Sequence, residues 1–142
     1  MKVLFKKLVP EAVKPKFGKP GDAGADLVAT SVDLSRKGQV VYGTGLAVEI
    51  PEGMVGLVFP RSSVRNYDLS MSNSVGVIDS GYRGEIMVTF NLKKPEDIQE
   101  IYAEGDRIAQ LVIVPVPLIT YAETQELSET TRGTGGHGST GV

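Results

Sequence analysis

The sequence contains no cysteine. That excludes disulfide scaffolding, thiol catalysis and cysteine-ligated zinc, and with them the zinc deaminases that require a Pro-Cys-x-x-Cys motif. A thiol-free chain is compatible with a reducing compartment without requiring one. Nor is there an excess of positive charge. Fifteen Lys and Arg face 17 Asp and Glu, a net charge of −2, whereas non-specific binding to nucleic acid calls for a strong basic field. No apolar run is long enough for a membrane span. The longest, LVIVPVPLI (111–119), is about half a span and carries two prolines. Lys2, Lys6 and Lys7 interrupt the N-terminal MKVLFKKLVPEA, which leaves no signal-peptide core. These absences predict a soluble, cytoplasmic protein with neither nucleic acid nor membrane as partner.

A long helical period is also missing, as are internal repeats and a dividing linker. What remains is alternation with period two. In GEIMVTFNLK, Ile86, Val88, Phe90 and Leu92 share one face, and in GLAVEIP so do Leu46, Val48 and Ile50. MVGLVFP and RIAQLVIVPVP are apolar, β-branched runs bounded by turn residues. Seventeen glycines and eight prolines punctuate short segments, the pattern of an all-β chain. With 142 residues, 41% of them hydrophobic, the chain has material for one compact core. The expected architecture is a β-sandwich or barrel over 1–127, followed by a glycine-rich tail over 128–142. RSSVRNYDL is expected to form one short helix, with Ser62 or Ser63 near its cap.

Five stretches carry groups that suggest chemistry. DAGADL (22–27) is a turn entering a strand, and Asp26 faces either a metal or solvent. PRSSV (60–64) sets Arg61 beside two hydroxyls, either an anion site or a helix cap beside a surface arginine. GVIDSGYRGEI (76–86) reads as a hairpin with Asp79 at its tip, a reactive carboxylate or an ordinary turn aspartate. GDRIAQLVI (105–113) puts Arg107 and Gln110 in an apolar strand, where they need partners or mark a solvated edge. RGTGGHGSTG (132–141) is either a solvated end or a segment whose backbone N–H groups wrap a phosphate chain, with Arg132 gripping the terminal phosphate. It also holds His137, the one histidine of the chain. Four of the six arginines (Arg61, Arg83, Arg107 and Arg132) lie in these stretches, a placement suited to a polyphosphate.

In this order the five stretches resemble the motifs of the trimeric dUTPases (dUTP diphosphatases), over residues 21–141. The resemblance implies a jelly-roll-like β-barrel, the dUTPase-like β-clip, in a homotrimer whose active sites are shared between subunits. It implies a hydrolase of nucleotide metabolism that cleaves dUTP to dUMP and pyrophosphate with Mg²⁺, limiting uracil in DNA and supplying dUMP. It implies Asp79 as the base that deprotonates the water attacking the α-phosphorus, with Arg61, Gln110 and Arg132 on the phosphates and Asp26 reaching Mg²⁺ through water. Substrate contacts are implied at Ser62, Ser63, Asn73, Gly76, Val77, Ile78, Arg83, Glu85, Ile86, Met87, Gly138 and Ser139. Tyr82 would lie under the deoxyribose and leave no room for a 2′-hydroxyl. Two positions depart from the common pattern. Gly81 stands where many members carry aspartate. His137 stands where many carry a phenylalanine that stacks on uracil, and an imidazole can stack as well. The rival expectations are a dCTP deaminase or bifunctional deaminase–diphosphatase of the same fold, and a nucleotide-gated regulatory binding protein.

Overall fold

The structure is a computed structural model that describes residues 1–93 and 100–136. Ten strands follow in order: β1 (Leu4–Lys7), β2 (Ala25–Val28), β3 (Ser31–Asp33), β4 (Gln39–Gly43), β5 (Leu46–Glu49), β6 (Met54–Pro60), β7 (Leu69–Met71), β8 (Gly76–Ile78), β9 (Met87–Leu92) and β10 (Arg107–Pro115). Two antiparallel four-stranded sheets, ordered β2-β10-β6-β8 and β3-β4-β9-β7, enclose one core, and β1 pairs with β5 at its side. This is the all-β architecture that the alternation predicts, in the jelly-roll-like form that the resemblance implies; the sheets face each other and hydrogen bonding does not close them into a barrel among the described residues. Leu27, Val58, Ile108 and Leu111 from one sheet meet Val40, Tyr42, Val88 and Phe90 from the other. The alternation is clean in β9, where Val88 and Phe90 are buried and Met87 is exposed. Among the described residues no helix is long and apolar enough to cross a membrane.

Strand β10 breaks the alternation, and the break has consequences. Its register against β2 shifts between Arg107 and Ala109, so that Ile108 is an extra, bulged residue. Ile108 and Ala109 are both buried. Arg107 and Gln110, three positions apart, would otherwise point to opposite faces; the bulge brings both into one groove. β10 lies between β2 and β6, so Gln110 is on a central strand and the solvated-edge alternative fails.

Two local expectations are corrected. GVIDSGYRGEI is not a hairpin: β8 pairs with β6, whereas β9 pairs with β4 and β7. The stretch crosses from one sheet to the other, turning where Tyr82 N–H donates to the Asp79 carbonyl at 3.0 Å. The helix in PRSSVRN is a 3-10 turn, Ser62–Asn66, whose cap position is taken by Arg61 without any side-chain cap hydrogen bond. Ser62 stands next to the cap as expected, but neither serine is the cap, because both lie inside the turn.

Candidate active site

A groove of 530 Å³ gathers residues of motifs one, two and four, with Lys19, Asp22, Asp26, Arg61, Arg107 and Gln110 on its walls. Strand β2 delivers Asp26, whose side chain is 14% exposed. Its Oδ1 accepts from Arg61 Nε at 2.7 Å and its Oδ2 from Arg107 Nη1 at 3.1 Å. The first is a short charge-assisted bond between two half-buried groups. The second involves an arginine that is 57% exposed, so solvent screens it and its contribution is small. Arg61 Nη1 also donates to Ser63 Oγ at 3.2 Å. Gln110 Nε2 donates to the Pro60 carbonyl at 3.2 Å, across the β6–β10 pairing. Gly24 makes room for it, since a Cβ there would lie 2.6 Å from Gln110 Oε1.

A second cluster lies around 79–86. Asp79 is exposed, one residue beyond β8, in a groove of 630 Å³ with Leu57, Val77 and Leu118. Tyr82, 42% exposed, folds its ring over Gly84 and donates its hydroxyl to the Glu85 carbonyl at 2.9 Å. Arg83 Nη1 donates to the carbonyls of Ser80 and Tyr82 at 2.7 and 3.0 Å, bracing the turn. The Glu85 carboxylate accepts from Gly45 N–H at 2.7 Å, tying the crossing segment to the β4–β5 loop. Asn73 approaches Gly76, and Val77 and Met87 are exposed while Ile78 is half-buried.

The two clusters stand at opposite ends of β6. Ile78 pairs with Gly56, and Arg61 follows five residues later. Asp79, one residue past Ile78 on an antiparallel strand, falls beside Val55, so at about 3.3 Å per residue it and Arg61 are separated by roughly 20 Å along β6.

The structure thus brings together Asp26, Arg61, Ser62 and Gln110, with Ser63 behind Arg61. Separately it brings together Asp79, Tyr82, Arg83 and Glu85. Arg132 joins neither: β10 ends at Pro115, and Arg132 Nε donates to the Gly135 carbonyl at 2.9 Å within its own exposed turn. His137, Gly138 and Ser139 lie outside the described residues. Ile86 departs from expectation. Its side chain is in the core, its N–H donates to the Leu46 carbonyl and its carbonyl accepts from Thr44 Oγ1, so it has little to offer a substrate. Lys19 and Arg107 are groove residues beyond the expected contacts. Arg107 carried a signal, a charge inside an apolar strand; Lys19, in an ordinary loop, carried none.

A family model described as dUTPase matches residues 11–141. The chain belongs to the dUTPase family. It is 43% identical over 143 residues to the deoxyuridine 5′-triphosphate nucleotidohydrolase of Rhodococcus erythropolis, covering 99% of this chain and 87% of that one. The corresponding protein of Cutibacterium acnes is 46% identical over 136 residues, covering 94% and 88%. Among solved structures, the Staphylococcus bacteriophage 80alpha dUTPase with dUpNHpp superposes with a TM-score of 0.86 at 30% identity, covering 99% of both chains. A variant dUTPase of phage phi11, described for its coordination of a structural Mg(II) ion, gives 0.74 at 28% identity, covering 89% of this chain and 98% of that one.

The family implies a metal, and the carboxylates of this dUTPase chain limit how one is held. Among the described residues no group of three or more His, Cys, Asp or Glu converges. Asp26 spends one position of each oxygen on an arginine and keeps two of its roughly four lone-pair sites. Such a set does not hold a bare ion. It does fit Mg²⁺ that keeps its waters and is carried mainly by phosphate oxygens.

Proposed function

We infer that the chain hydrolyses dUTP to dUMP and pyrophosphate, with water attacking the α-phosphorus, and thereby limits uracil in DNA and supplies dUMP. Its membership of the dUTPase family over 11–141 carries this reading. Hydrolysis at phosphorus needs alignment of the water and oriented positive charge more than covalent help. Asp79 is exposed and free to take the proton of the attacking water. Arg61, Ser62 and Gln110 supply donors to the phosphates, and Arg132 closes on the chain end together with His137, Gly138 and Ser139. Mg²⁺ bound to the triphosphate would offset its charge, with Asp26 reaching it through water. The Tyr82 ring, pinned by its hydroxyl to Glu85, fills the space a 2′-hydroxyl would need.

The active site is built between subunits of a homotrimer. Two observations support this. The base and the phosphate groove of one chain lie at opposite ends of β6, too far apart to serve one α-phosphorus. In addition, Val55, Leu57, Phe59, Val77, Val112 and Val114 stand on the outer face of the β2-β10-β6-β8 sheet, apart from the core cluster. An apolar sheet face of this kind is suited to burial against a second copy.

The test mixes two inactive chains, Asp79→Asn and Arg61→Ala. If each site takes Asp79 from one chain and Arg61 from the next around a closed ring, a random equimolar mixture has both intact in roughly a quarter of its sites. Pyrophosphate release from dUTP should return to about that fraction of wild type. A mixture that forms hybrid trimers by mass spectrometry yet stays inactive refutes the shared site. Ammonia release from dCTP by the wild-type chain, with no pyrophosphate release from dUTP, would instead refute the hydrolytic reading.

A further inference from the structure

Tyr102 lies outside the five motifs, and the hydrolytic reading makes no use of it. It is 2% exposed. Its ring packs against Tyr42, Tyr67 and Phe90 at centroid distances of 6.2, 4.0 and 6.0 Å, and its carbonyl accepts from Tyr42 Oη at 3.0 Å. The residue is therefore held by the core through both ring and main chain. Its hydroxyl emerges 3.2 Å from Ser63 Oγ, the same oxygen that accepts from Arg61 Nη1 at 3.2 Å.

The direction of the first bond follows from what a buried phenol requires. Its proton needs an acceptor, and among the described residues Ser63 Oγ is the one at hand. Tyr102 then donates, both acceptor positions of the serine hydroxyl are filled, and Ser63 keeps only its own proton to give. Burial raises the Tyr102 pKa, outweighing the lowering by Ser63 and Arg61, so the phenol remains a donor at neutral pH. Arg61 is held on two sides, by Asp26 at Nε and by Ser63 at Nη1. Its Nη2 has no protein acceptor among the described residues, which leaves those protons for an anion.

We propose that Tyr102 is a positioning residue for Arg61: it orients Ser63, and Ser63 sets the plane of the guanidinium toward the phosphate groove. The proposal rests on Arg61 being a phosphate ligand, as read above. Tyr102→Phe keeps the ring and removes only the hydroxyl. It should lower kcat/KM for dUTP about 3- to 10-fold, the factor for one neutral hydrogen bond. In a Ser63→Ala background the same change should alter kcat/KM less than about twofold, because the link is already cut. Ser63→Ala alone should show a loss similar to that of Tyr102→Phe, which tests the relay from its other end even if Tyr102→Phe folds poorly. Equal effects of Tyr102→Phe with and without Ser63 would mean that the hydroxyl acts independently of the serine, and would overturn the proposal. So would a silent Tyr102→Phe or a silent Ser63→Ala. Arg61→Lys separates the two levels: if it leaves kcat/KM unchanged, the phosphate reading of Arg61 has failed; if it lowers kcat/KM while Tyr102→Phe does not, only the positioning role has.

Discussion

Gly24 offers a test in which one methyl group probes the contact between motifs one and four. A Cβ at this position would sit 2.6 Å from Gln110 Oε1 and 3.1 Å from both Gln110 Cβ and Cδ. The crowding reaches the stem of the side chain as well as its flexible end, so Gln110 must turn away. Turning breaks its hydrogen bond to the Pro60 carbonyl, a loss of about 1 kcal/mol. Residual overpacking adds roughly 1–3 kcal/mol. Against this, Gly24 does not have a left-handed φ, and replacing glycine in an ordinary conformation stabilises by about 0.4–1 kcal/mol through the unfolded chain. Gly24→Ala should therefore destabilise by about 1–3 kcal/mol. For a chain of this size that is a fall in Tm of several degrees. In a Gln110→Ala background the clashing Cδ and Oε1 are gone and only the tight approach to Cβ remains, so the same substitution should cost much less. Urea unfolding of the four variants measures the coupling, expected at about 1–3 kcal/mol. Turnover should follow, with kcat/KM of Gly24→Ala approaching that of Gln110→Ala. An undiminished penalty for Gly24→Ala when Gln110 is already alanine would refute the reasoning.

Tyr82→Ala should reduce the dUTP:UTP ratio of kcat/KM. Gly84→Ala should do the same without touching the tyrosine, because a methyl there would run into the Tyr82 ring; an unchanged ratio in both variants would remove the ring from discrimination. Stability should fall at alkaline pH. Burial raises the pKa of the Tyr42 and Tyr102 hydroxyls above the ordinary value of 10.0, so above about pH 10 the unfolded chain releases protons that the folded chain retains. Their contribution is complete below that pH and is lost as pH rises, by at most about 1.4 kcal/mol per pH unit for each tyrosine. Urea midpoints between pH 9 and 11 should decline, and less steeply for Tyr42→Phe; an equal slope would exclude Tyr42 as the source.

The sequence was most legible where side-chain period and sheet face coincide. The face of Val88 and Phe90 is buried as the alternation predicts, and MVGLVFP is β6 from end to end. It was less legible where backbone departs from the period. Nothing in GDRIAQLVI announces the bulge at Ile108, yet that bulge is why Arg107 and Gln110 share a groove. Nor does alternation say which strand is the partner. GVIDSGYRGEI has the composition of a hairpin, but its two strands belong to different sheets, because β8 is held by β6. Spatial assembly was the least legible part. Five stretches in one order do not say which of them meet within one chain; among the described residues the chain groups them into two clusters, with Arg132 in neither.

That division also accounts for the charges. In the groove around Asp26 three cations, Lys19, Arg61 and Arg107, face two anions, Asp22 and Asp26. A net of one positive charge is weak against a triphosphate carrying several negative ones. Asp26 is the reason it is weak, and also the reason the groove has a defined shape. Without a carboxylate between them, Arg61 and Arg107 would repel each other; with it, Arg61 is held by a short bond to Oδ1 and the more exposed Arg107 is drawn more weakly to Oδ2. The groove therefore gives up field strength for fixed donors. On the function proposed above, the remaining positive charge would come from a metal on the phosphates and from Arg132, which contacts neither cluster among the described residues. Inorganic phosphate should then bind the groove poorly, and a nucleotide long enough to meet Arg132 should bind it better.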